Sequence, residues 1–160
     1  MRMVNALIDR GADVNAPSTK PEYKKLTPLM VASLHGRVEL MRVLFAAGAK
    51  VNQTIADGST ALMAASQFGE LEGIRVLLAA GAQVNQARPD GATALMVASQ
   101  FGQVEAVKVL LASGVQINQP DPTAHSTALH YKHHTIVSLL QAKLAELAGS
   151  AGSAGSAGSA

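Results

Sequence analysis

Four histidines, His125, His130, His133 and His134, crowd into the C-terminal part of this chain. Imidazole nitrogens bind transition metals well, so this cluster is the first place to look for chemistry. Its donor set is thin, because Asp121 is the one carboxylate close by and the chain has no cysteine. Without thiols, disulfides and thiolate metal sites are excluded. Ser33, Ser66 and Ser99 recur at even spacing, which marks packing or surface positions rather than nucleophiles. Neither a nucleophile elbow nor a glycine-rich phosphate loop following a strand accompanies them. We therefore expect no catalytic residues, no metal, no cofactor and no enzymatic activity.

Binding chemistry has better candidates. Gln67-Phe68 and Gln100-Phe101 are the same pair one period apart, and a partly exposed aromatic ring is a good anchor for a partner. The competing reading is that both rings pack beneath the following loop and support a turn. The chain carries three Phe, two Tyr and no Trp while 48% of it is apolar. A core of Ala, Leu and Val suits thin helices that approach closely, rather than a deep globular interior. Net charge is only +2, but Lys20, Lys24, Lys25, Arg37, Arg42 and Lys50 gather within residues 16–50 against Glu22 and Glu39. That is a basic end, far short of a nucleic-acid-binding tract. No apolar run approaches the roughly 18 residues of a membrane span, and Met1-Arg2-Met3-Val4 with Asn5 and Asp9 behind it does not resemble a signal peptide.

The elements that hold these residues repeat. Gly11, Gly48, Gly81 and Gly114 each close an apolar stretch and precede Val-Asn or Ile-Asn, at spacings of 37, 33 and 33 residues. Residues 58–69 (Gly58-Ser59-Thr60-Ala61-Leu62-Met63-Ala64-Ala65-Ser66-Gln67-Phe68-Gly69) align with residues 91–102 almost without change, and Thr27-Pro28-Leu29-Met30 opens an earlier unit. Thr27, Thr60, Thr93 and Thr127 suit the N-cap of a first helix, with Pro28 tolerated in its first turn. Gly36, Gly69 and Gly102 suit the reversal into a second helix. Asp57-Gly58 and Asp90-Gly91 supply tight-turn chemistry in the connecting loops. Asn15, Asn52, Asn85 and Asn118 read as satisfying turn backbone.

These residues resemble the ankyrin repeat, from the Thr-Pro/Ala-Leu opening through the small Ala, the mid-unit Gly and the Leu-Leu of the second helix to the Gly-Ala-x-Val-Asn close. The resemblance implies an all-α solenoid of stacked helix-turn-helix units with β-hairpin-like loops. It implies a domain over residues 1–148, with a partial repeat at 1–15, repeats at 27–52, 60–85 and 93–118, a degenerate repeat at 127–148, and a Gly/Ser/Ala tail or linker, natural or engineered, at 149–160. It also implies binding on a concave face. The loop-tip positions there are Tyr23, Lys24, Leu26, Ile55, Ser59, Arg88 and Ala92. The ends of the first helices add Leu34, His35, Gln67, Phe68, Gln100 and Phe101.

The chain departs from the family pattern in three places. Met30, Met63 and Met96 stand where the family has a hydrogen-bonding His, a pattern that reads as packing, and only His130 keeps that His. Residues 2–10 align with a second helix alone. In the last unit Lys132 falls on the small-Ala position, so the spacing from Thr127 to Val137 predicts a first helix shortened by about a turn and a final helix near 135–148. The first loop is four residues longer than its equivalents and contains Tyr23, Lys24 and Lys25. It is either a contact loop for an acidic partner or a tolerated insertion. The expected function is a cytoplasmic or otherwise intracellular, monomeric adaptor or scaffold that binds a protein or peptide, acidic in part, and neither nucleic acid nor membrane. The alternative is a structural subunit packed permanently into a larger chain or assembly through the incomplete N-terminal repeat.

Overall fold

A threonine starts each of the first three helix pairs. The computed structural model describes residues 10–19, 25–115, 117 and 124–152. In it the Oγ1 atoms of Thr27, Thr60 and Thr93 accept the amide hydrogens of Met30, Met63 and Met96 at 3.3, 3.3 and 3.4 Å. Each bond satisfies one of the orphan amides of a helix N-terminus, a contribution of about 1 kcal/mol. The first pair is α1 (Pro28–Leu34) with α2 (Val38–Ala46), and the second is α3 (Ala61–Phe68) with α4 (Leu71–Ala79). The third is α5 (Ala94–Gln100) with α6 (Val104–Ala112), and the fourth is α7 (Ala124–His130) with α8 (His134–Gly152). Among the described residues the fold is all-α, with one isolated bridge between Ala87 and Thr93 in a loop.

The pairs stack as a solenoid. First helices pack against first helices along one layer, and second helices against second helices along the other. Ala32, Ala65, Ala98 and Ala128 are all buried in the inner layer, where a methyl group lets neighbouring backbones approach. Ser33, Ser66 and Ser99 are fully buried there too. Ser33 and Ser99 donate their hydroxyls to the carbonyls of Leu29 and Leu95 at 2.7 and 2.8 Å, which makes them packing residues. The outer layer buries Met41 with Leu44, Ile74 with Leu77, Val107 with Leu110, and Ile136 with Leu140. The helical spacing of these pairs puts each on one face. Every such side chain contributes about 1.5–3 kcal/mol of transfer free energy.

Polar side chains tie one repeat to the next. Asn15 accepts the Lys50 amide at 2.8 Å and donates to the Gly48 carbonyl at 3.2 Å. Asn52 makes the same pair of bonds to the Gln83 amide and the Gly81 carbonyl, at 2.8 and 3.1 Å. The loop asparagines thus close the helix end of the following unit.

The last repeat corrects the expected register. Its first helix is not shortened: α7 has seven residues, as do α1 and α5. Thr127 lies inside it and caps nothing. Ala124 and Ala128 take the buried places held by Ala94 and Ala98, so Ser126, and not His130, corresponds to Met96. The residues lost relative to a full period lie before α7. Lys132 makes the reversal, with φ of 61° where Gly102 has 69°. The final helix also outruns expectation, reaching Gly152, because Leu144 stands where Gly48, Gly81 and Gly114 stop the other second helices. The incomplete repeat expected at 1–15 falls mostly outside the described residues, as do Tyr23 and Lys24.

Lys132→Gly is expected to raise stability by up to about 1 kcal/mol, because glycine relieves a left-handed L-residue at some cost in unfolded-chain entropy. Leu77→Ala is expected to lower it by about 3 kcal/mol through a core cavity. Urea unfolding midpoints measure both.

Candidate functional site

The groove begins at the loop tips. Asp57 accepts the Ser59 amide at 2.8 Å, and Ile55 and Ser59 close the loop backbone with an N–H to carbonyl bond of 3.2 Å. One repeat on, Asp90 accepts the Ala92 amide at 3.0 Å while Arg88 donates to the Ala92 carbonyl at 2.9 Å. These Asp-centred turns place Ile55 and Arg88 at equivalent points on one face. The loops pack closely: a Cβ at Gly58 (φ 80°) would collide with Pro89 and the Arg88 backbone, so the tight turn needs glycine there.

Arg88 is fixed by its own loop. Nε and Nη2 donate to the two carboxylate oxygens of Asp90 at 3.2 and 2.8 Å, the bidentate geometry that orients a guanidinium. The Ala92 amide, then the Arg88 side chain, hold the Asp90 carboxyl below the ordinary aspartate range.

Between these loops and the inner helices lies a groove of about 470 Å³. Of the residues expected to meet a partner, Leu26, Leu34, Ile55, Ser59, Gln67, Phe68, Arg88 and Gln100 line it together. Met30 and Met63 contribute to its floor while also packing in the core. His35, Ala92 and Phe101 lie outside the groove lining. His35 is exposed just past the end of α1, and Ala92 is half-buried in the loop turn. Tyr23 and Lys24 fall outside the described residues. Lys25 does line the groove.

The paired aromatics do not pack beneath loops. Phe68 is 53% exposed and Phe101 48%. The turns that carry them are braced from the next repeat, where Gln103 Nε2 donates to the Gln67 carbonyl at 2.9 Å and His133 Nε2 bonds the Gln100 carbonyl at 3.0 Å. The corrected register adds a third ring to this row. Tyr131, 48% exposed, occupies the place of Phe68 and Phe101. Its hydroxyl accepts from Gln100 Nε2 at 3.1 Å, and its ring stacks on His133 with centroids 6.4 Å apart. Aligning on the buried alanines, Ala124 and Ala128, would have found it in the sequence.

Among the described residues no three His, Asp or Glu side chains converge where a metal could be held. His130 and His133 instead flank Tyr131. None of the described helices is long and apolar enough to cross a membrane.

Followed by NMR through an acid titration, the Asp90 carboxyl is expected to protonate below the ordinary range. Arg88→Gln should raise that midpoint only part of the way, because the Ala92 amide remains. With a depressed folded pKa, the loop's gain from this pair is complete above the ordinary value and is lost as pH falls through the lowered one.

A family model of ankyrin repeats in three copies matches residues 1–88, 54–121 and 81–148. No curated protein matches the chain.

Proposed function

Because the chain belongs to the ankyrin-repeat family, whose repeats are in general protein–protein interaction modules, we propose that it is a non-catalytic adaptor or scaffold. Its partner is a protein or peptide seated on the concave face. The observation that carries this reading is the pairing of a preformed apolar groove with exposed aromatic rings beside it. The rest of the large apolar side chains in the helix pairs bearing Phe68 and Phe101 are buried or half-buried. An exposed ring held at the end of a braced turn has no packing role to explain it.

The binding mechanism follows from rigidity. Asp57 and Asp90 fix the loop turns, and Gln103 and His133 fix the helix ends. A surface organised before contact loses little conformational entropy when the partner arrives. Phe68, Phe101, Leu34, Ile55 and Arg88 act as anchors, and Lys24 and Lys25 steer a partner that is acidic in part. The module acts as a monomer inside the cell, with the cytoplasm as its proposed place, and binds neither nucleic acid nor membrane.

Phe68→Ala combined with Phe101→Ala should weaken partner binding at least about tenfold, or 1.4 kcal/mol, with only a slight fall in thermal midpoint. A large stability loss with unchanged affinity would make the rings structural and remove the groove's anchor.

A further inference from the structure

We propose that Lys25 and Arg88 form a carboxylate-recognition pair on the groove, so that the docking segment presents an Asp or Glu close to an apolar side chain. This rests on the concave face being the partner surface and names the chemistry it selects.

Lys25 sits in an unusual backbone state for its type. It has φ of 63°, in the loop position where the next two repeats have Gly58 and Gly91 at 80° and 83°. A lysine in the left-handed region costs conformational energy that a glycine would not, and such departures gather at binding sites. The gain at this position is a cationic arm on the loop tip that lines the groove.

Arg88 supplies a second cation in the same groove. Asp90 engages one edge of its guanidinium, and a guanidinium has five donors in a planar fork. It is therefore pre-oriented for another acceptor. Asp57, the groove's one acidic lining residue, already turns an oxygen onto the Ser59 amide. Leu26, Met30, Leu34 and Ile55 supply apolar lining in the same groove.

Charge complementarity extends beyond the groove. Among the described residues up to position 50, Arg10, Lys25, Arg37, Arg42 and Lys50 face only Asp13 and Glu39. From 51 to 115, Arg75, Arg88 and Lys108 are outnumbered by Asp57, Glu70, Glu72, Asp90 and Glu105. Such a gradient attracts and orients an acidic segment, with its negative end over the first repeat.

The test selects binders from a displayed library of random dodecapeptides on the full chain. The selected peptides are expected to carry Asp or Glu within a few residues of Leu, Ile or Phe, and to bind more weakly as salt rises. Lys25→Gly should raise the thermal midpoint by relieving the left-handed backbone, yet weaken these peptides about five- to tenfold. Arg88→Gln should weaken them similarly. Peptides without acidic enrichment, or indifferent to both substitutions yet lost on Phe68→Ala with Phe101→Ala, would overturn this proposal and leave the concave-face reading standing. Failure to select any peptide sensitive to the aromatic, Lys25 or Arg88 substitutions would overturn both.

Discussion

Close approach of the inner helices is the constraint on which the rest of the structure depends. Ala32, Ala65, Ala98 and Ala128 are all buried where first helices pack on first helices, and Ser33 and Ser99 beside them donate their hydroxyls to local carbonyls. A larger side chain at any of these points would separate two layers that have no other core to join. Solenoids bury surface only between neighbours, so spacing errors propagate along the stack. The methionines fit the same scheme. Met30 and Met63 pack in the core and reach the groove floor, which a flexible, polarizable chain can do without fixed shape.

Polar staples then set the fine geometry. Asn15 and Asn52 cross from loop to following helix end, and Gln103 and His133 cross from second helix back to the preceding turn. The groove therefore inherits its shape from contacts several residues away from any partner. This connects ordinary repeat packing to recognition: the residues that hold Phe68 and Phe101 in place are not the residues that would touch a ligand.

The repeat itself was legible because capping threonines, reversing glycines and buried alanines all recur together. Three helix pairs follow from that pattern with no tertiary information. The fourth does not, because Thr127-Ala128-Leu129-His130 imitates the opening motif, while Lys132 replaces the glycine that fixes the turn in the other repeats. Burial decided the register, with Ala124 and Ala128 filling the tight inner positions. The exposure of the Phe rings was likewise beyond the sequence, since a ring at a turn can fold under the next loop or stand free. Lys25 was visible as charge in a long loop. Its backbone angle and its place on the groove distinguish it from ordinary surface lysines.

Leu129 stands where Ser33, Ser66 and Ser99 are sealed by the neighbouring inner helix, yet 54% of its surface meets solvent. Among the described residues the α7–α8 unit has a neighbouring repeat on one side. In a one-dimensional array each unit draws much of its stability from its two flanks. Amide protons of α7 should consequently exchange through local opening events well before those of α3.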